Sequence, residues 1–302
     1  MAKKKKQSTW FYKLIFVLGF LILMYPQVSR LYYRVESNQE VASFESGKAE
    51  LSDEEVQKRM ALARDFNDSL VNQNMTDPYS KARHERGRAA YAHMLEVHEQ
   101  IGHIQVPVID VDIPIRAGTA EEVLQTSAGH LEGTSLPIGG NSSHTVITAH
   151  SGLPTAKLFS DLSKVKKGDR FYIHNVAETL AYEVDQIKVV EPSNFEDLLI
   201  VPGHDYATLL TCTPIMINSH RLLVRGHRVP YDQAIDDQFV ADNKLDFLYK
   251  YAFFALIILM ILLAYGSWRY NRKLKRLELD IRAFEKVMGI KDEGKDSGHD
   301  EE

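Results

Sequence analysis

The chain of 302 residues holds one cysteine, Cys212, in the segment 208–214 that reads Thr-Leu-Leu-Thr-Cys-Thr-Pro. Arg221 follows nine residues later, inside the segment 218–226 that reads Asn-Ser-His-Arg-Leu-Leu-Val-Arg-Gly. A lone cysteine cannot staple its own fold, so the thiol has another use. It is either a small buried apolar side chain, as cysteines often are, or a nucleophile. The cysteine alone leaves both readings open. As a nucleophile it must attack as thiolate, and a thiol of pKa ~8.5 is mostly protonated at neutral pH. An imidazole beside it can accept that proton or hold the thiolate as an imidazolium partner. The same imidazole can later protonate a leaving amine, which suits acyl transfer.

The segments around Cys212 and Arg221 resemble the active-site strand, loop and next strand of a sortase, a bacterial cysteine transpeptidase. Residues 148–154, Thr-Ala-His-Ser-Gly-Leu-Pro, carry His150 in the form that family uses. Residues 129–140, Gly-His-Leu-Glu-Gly-Thr-Ser-Leu-Pro-Ile-Gly-Gly, resemble the pilus-building class C subgroup. These four motifs stand in the family's order and cover most of residues 100–230. The resemblance implies Cys212 as nucleophile and His150 as acid and base. Negative charge develops on the oxygen of an attacked carbonyl, and a donor placed there is worth ~3–4 kcal/mol in barrier height. Arg221 is the expected charged donor and substrate holder, with the backbone N–H of Thr213 a second donor. Arg225 is read as a solvated strand residue. His220 is next to Arg221, and neighbours on a strand face opposite ways, so His220 faces away if Arg221 faces the site.

Residues 74–79 read as a turn between two predicted helices. Class C sortases resemble one another in a lid loop carrying Asp-Pro and an aromatic. The resemblance implies that Asp77 pairs with Arg221, that Tyr79 covers Cys212, and that Pro78 stiffens the loop by fixing φ. Tyrosine is a departure from the more usual tryptophan or phenylalanine. The spacing of His93, His98 and His103 matches no common zinc pattern and no HExxH motif occurs, so neither metal nor cofactor is expected.

Positioning these groups calls for a rigid frame. From Ile101 onward apolar residues alternate, as in half-buried strands: Ile104, Val106 and Val108, then Val111, Ile113 and Ile115. Further strands are predicted over residues 144–148, 170–174, 180–190, 206–211 and 222–229. Short strands separated by Gly, Pro and Asn suggest a closed or nearly closed barrel; the family resemblance implies eight strands. Ser52 with Glu55 forms a capping box, and Val56, Met60, Ala63, Phe66 and Leu70 follow at helical spacing, predicting a helix over about 52–74. A second helix is predicted over about 83–96.

The net charge of −5 gives no support to nucleic-acid binding, and the basic residues cluster near the ends. Lys3 to Lys6 precede Trp10, Phe11 and Tyr12 and an apolar run at 14–25. Residues 247–268 are apolar apart from Lys250, and Arg269, Arg272, Lys273, Lys275 and Arg276 follow. A span needs ~20 apolar residues, and flanking positive charge marks the cytoplasmic side. The reading is a two-pass membrane protein with both termini cytoplasmic and the catalytic domain extracellular, the first segment an uncleaved anchor in preference to a signal peptide.

The full expectation is therefore a mostly β fold: a closed eight-stranded sortase-type β-barrel with N-terminal helices, flanked by two transmembrane helices. Its parts are a cytoplasmic basic N-terminus at 1–9, an anchor at 10–26, an extracellular helical region at 27–99 with the lid at about 74–82, the barrel at 100–232, a juxtamembrane segment at 233–246, a transmembrane helix at 247–268 and a cytoplasmic tail at 269–302. The expected reaction cuts an LPXTG-like sorting signal between Thr and Gly and joins the acyl group to a lysine of another pilin. Pilin subunits are thus the expected partners. The alternatives are a sortase that attaches proteins to the cell-wall precursor, a surface protease that releases peptide to water, and a non-catalytic pilin-binding scaffold.

Overall fold

The computed structural model describes residues 9–70 and 93–288. The alternating segments form eight strands: β1 (Gly102–Val106), β2 (Val111–Ala117), β3 (Ala128–His130), β4 (Ser143–Thr148), β5 (Arg170–His174), β6 (Thr179–Val190), β7 (Asp205–Thr213) and β8 (His220–Val229). They close into a barrel in the order β1-β2-β3-β4-β7-β8-β6-β5, with β5 returning to β1. The pairs β2–β3 and β4–β7 are parallel, and the other pairs are antiparallel.

Alternation divides the side chains between two cores. Ile104, Ile113, Ile147, Phe171, Tyr182, Leu209 and Val224 belong to the main core. Val146, Leu210 and Leu223 point the other way and pack with Leu131 and Leu198, beneath Val190 and Phe195 of the β6–β7 connection. That second, smaller core lies on the outside of the barrel wall made by β4, β7 and β8.

Two helices precede the barrel, α1 (Thr9–Ala49) and α2 (Asp53–Ser69). Helix α1 is fastened to the barrel by polar side chains. Tyr33 Oη donates to Thr126 O at 2.8 Å, Ser37 Oγ to Asp112 O at 3.2 Å, and Arg116 pairs with Glu40 at 2.9 Å. Phe44, fully buried, joins Met60 and Ala63 of α2 in the main core. Ser52 caps α2 as its sequence predicts, accepting the Glu55 N–H at 3.2 Å. The helix closes at Ser69, where Leu70 turns extended, short of the expected residue 74. Most of the second predicted helix, 83–92, lies outside the described residues; its end leads into a turn in which Val97 and Gln100 exchange backbone hydrogen bonds.

After the barrel comes a single helix, Gln233–Met288, here α4, following the short α3 (Glu121–Leu124). Its first turn is held by Asp236, 1% exposed, which accepts from Arg170 at 2.9 Å and Tyr172 at 2.8 Å. The chain divides into two units, Met1–Lys244 and Leu245–Glu302. The second consists, among the described residues, of the C-terminal part of α4.

The expected pair of transmembrane helices is overturned. Among the described residues no helix is long and apolar enough to cross a membrane. The apolar run at 14–25 ends at Pro26 and, at 1.5 Å per residue, rises only ~18 Å. A hydrocarbon layer is ~30 Å thick.

Candidate active site

Cys212 is the second-last residue of β7 and is buried, 7% exposed. Its cross-strand partner on β8 is Arg221, equally buried. Directly opposed residues of an antiparallel pair put their side chains on one face. Here that face is the outer one, because Leu210 and Leu223, the pair two residues back, lie in the outer core.

His150 reaches the same face by a different route. Strand β4 runs parallel to β7 in the register Thr148↔Leu210, and Ala149 N–H continues the ladder to Leu210 O at 3.2 Å. Counting by two from Val146, an outer-core residue, brings His150 to the outside, one step beyond Thr148. Cysteine, histidine and arginine thus leave three adjacent strands at one end of the barrel, on one side of its wall. The sequence expectation for His220 also agrees with the register, since it pairs with Thr213 and alternates with Arg221.

Several contacts fix this end of the barrel. Thr211 Oγ1 donates to Ala149 O at 2.7 Å, and Ser151 Oγ donates to Cys212 O at 2.7 Å. Phe159 N–H donates to His150 O at 3.0 Å, and Gly152 N–H donates to Ser160 Oγ at 2.9 Å. Gly152 has φ +79, and a Cβ there would meet Ile215 Cγ2 at 2.5 Å. Only glycine lets the segment after β4 lie against the turn after β7. The turn exposes Ile215, Met216 and Ile217. Arg221 is braced by the same turn: its Nη1 donates to Asn218 O at 3.0 Å and to His220 O at 3.1 Å.

A carboxylate also comes to the site. Glu121 Oε1 lies 3.5 Å from His150 Nε2. Sequence reasoning missed Glu121, Ser151, Gly152 and Ile215. Ser151 and Gly152 adjoin His150 in the recognised segment, but Glu121 sits twenty-nine residues upstream in a helix of only four residues, with no motif to mark it. The lid residues Asp77, Pro78 and Tyr79 lie outside the described residues.

Four other histidines, His103, His130, His144 and His174, have structural partners. His130 and His144 are buried, and burial pushes both down to about 4. His130 Nε2 lies 2.8 Å from Ser135 O, while His144 bridges Leu199 O at 2.9 Å and Thr208 Oγ1 at 2.8 Å. His103 lies between Asp112 at 2.7 Å and Glu45 at 3.3 Å. Burial works against its charge, but the two carboxylates raise it above the usual imidazole range. His174 stacks on His103 with centroids 4.2 Å apart, and burial followed by the His103 charge lowers it to about 4. Among the described residues no group of three or more His, Cys, Asp or Glu side chains is arranged to hold a metal ion.

A family model described as Sortase domain matches residues 104–229. The structure is similar to that of sortase C-1 from Streptococcus pneumoniae, at 66% identity and TM-score 0.63, covering 64% of this chain and 100% of that one. It is likewise similar to a pilus-related sortase C of Group B Streptococcus, at 65% identity and TM-score 0.61, covering 64% of this chain and 98% of that one. Among curated proteins, sortase A of Bacillus anthracis is 28% identical over 135 residues, 45% of this chain and 62% of its own. The chain thus spans about three fifths of that relative's length.

Proposed function

The chain belongs to the sortase family, and from that premise we propose that it is a cysteine transpeptidase that polymerises pilin subunits. The observation that carries the reading is the register Cys212↔Arg221 beside the parallel Thr148↔Leu210 pair. That arrangement brings a thiol, an imidazole and a guanidinium to one barrel rim, which supports their reading as nucleophile, base and oxyanion donor. The likeness to a pilus-related sortase C at 65% identity favours pilin substrates over other acyl carriers.

In this mechanism the sulfur of Cys212 attacks the threonine carbonyl carbon of an LPXTG-like signal, and the thiol proton passes to His150. The carbonyl oxygen becomes an oxyanion that Arg221 stabilises, an interaction stronger in the transition state than in the ground state. Collapse breaks the Thr–Gly bond. His150 protonates the departing glycine amine, and a thioester remains on Cys212. A lysine amine of a second pilin then attacks the thioester carbonyl. It loses its proton to the base, expels the thiolate and forms an isopeptide bond. Neither metal nor organic cofactor is required by these steps.

The test is to incubate the full chain with an LPXTG peptide and a pilin domain bearing its acceptor lysine, with mass spectrometry as readout. A peptide–lysine conjugate that disappears in Cys212→Ala is the expected result. Cleavage without conjugation would make the protein a hydrolase towards this acceptor. No thioester and no cleavage would overturn the reading in favour of a scaffold.

A further inference from the structure

We propose that Glu121 is a positioning residue for His150: its carboxylate holds the Nε2 side of the ring and stabilises the imidazolium form. The proposal rests on the transpeptidase reading above, since it gives His150 a proton to carry. Glu121 Oε1 is 3.5 Å from His150 Nε2, within ion-pair range, while that buried nitrogen makes no hydrogen bond among the described residues, so the carboxylate acts on it through charge. The imidazole is mostly enclosed, at 17% side-chain exposure, and the carboxylate is partly exposed, at 39%. Such a pair has modest strength in water but orients a ring effectively, because imidazole has two distinct nitrogens. With Nε2–H directed at a carboxylate, Nδ1 becomes the basic nitrogen, and the proton leaving Cys212 Sγ goes to Nδ1.

Both partners are built to stay where they are. Glu121 opens α3, and Gln125, one turn on, donates its side-chain N–H to Glu121 Oε1 and its backbone N–H to Glu121 O. Val123 and Leu124 anchor α3 from below. Gly129 of β3 makes that docking possible, since a Cβ there would meet Gly118 O at 2.4 Å and Leu124 Cδ2 at 2.9 Å. Strand β3 is in turn the antiparallel neighbour of β4, in the register Gly129↔Thr148, two residues before His150. The carboxylate therefore rides on the strand next to the one that delivers the imidazole. On the other side, the Phe159 N–H holds the His150 carbonyl at 3.0 Å, so the ring has little freedom except rotation about its own side-chain bonds. A carboxylate near the far nitrogen biases that rotation once the ring is charged. Among the described residues, the ionisable groups brought to this rim with His150 include Glu121 from α3, Cys212 from β7 and Arg221 from β8.

The experiment is alkylation of the full chain by iodoacetamide across a pH series. It reads the thiolate directly and needs no peptide substrate, and the single cysteine makes the signal unambiguous. The variants are Glu121→Gln, His150→Ala and the double variant. Glu121→Gln keeps the side-chain shape and removes only the charge. We expect it to slow alkylation about two- to fivefold near neutral pH, the range for a partly exposed ion pair. The curves should converge above about pH 9, where the thiol ionises unaided. In the His150→Ala background the same change should have no effect, because the coupling runs through the imidazole. With sorting peptide, kcat should fall and KM should hold. An unchanged profile in Glu121→Gln, or an equal slowing with and without His150, overturns the proposal while leaving the transpeptidase reading intact. If His150→Ala itself leaves the profile unchanged, His150 is not the proton partner, and both fall together. Thermal melting of Glu121→Gln alongside wild type separates a folding defect from the expected effect.

Discussion

At the scale of single residues, the site depends on buried charge being put to use. Arg221 is 7% exposed and bonded to the carbonyls of its own turn, so its guanidinium is fixed before any substrate arrives. Replacing it by lysine keeps the charge but loses the planar fork. Arg221→Lys should lower kcat for thioester formation about 10²-fold, measured by single-turnover mass spectrometry, with the thermal melt little changed. A loss confined to KM would assign Arg221 to substrate holding alone. Three residues of the candidate site were named from the sequence alone. Cys212 stood out as the only cysteine, and His150 and Arg221 through the segments around them. Glu121 was not legible, because acidic residues are common on surfaces and its significance arises only when β3 and β4 pair.

At the scale of elements, legibility followed length. Strand β5 occupies the expected residues 170–174, β4 and β6 start one residue earlier than expected, and β7 runs one residue beyond expectation at its start and two at its end. Strand β3 has three residues, Ala-Gly-His, too few for alternation to register, and α3 has a single turn. Both were missed, and both lie under the site. The capping box before α2 was read correctly because its signal is local: one side-chain oxygen and one N–H three residues on. Ser52→Ala should destabilise the protein by ~1 kcal/mol in urea titration, without change in activity. Within the barrel wall, Leu209 is fully buried and faces the main core. Leu209→Ala should cost ~2–5 kcal/mol, because the closed barrel cannot collapse around the space left behind.

At the scale of the whole molecule, the expectation of two membrane spans is overturned, because among the described residues no helix is long and apolar enough to cross a membrane. Stability of the folded part should depend on pH through its buried histidines. His130, His144 and His174 are each lowered to about 4 from an ordinary 6.5. Between those values the unfolded chain binds protons that the folded chain refuses. Stability is therefore full above about 6.5 and falls as the pH drops towards 4. His103 acts in the opposite sense, its contribution being present below about 6.5 and fading as pH rises past its raised folded value. Three groups outweigh one, and the melting temperature should fall by at least ~4 °C between pH 7.5 and pH 5. A melt that is flat or rises over that interval would mean that these imidazoles are reached by solvent.

The seating of Ile215 against Gly152 has a consequence for modularity. The turn after β7 exposes Ile215, Met216 and Ile217, and so invites transplantation from one relative to another as a way to change selectivity. Yet Ile215, itself half exposed, occupies the place that any side chain at position 152 would need. A graft that alters the residue at 215, or places anything larger than glycine at 152, would push on the segment that carries His150. The two loops are one exchangeable cassette, to be moved together or not at all.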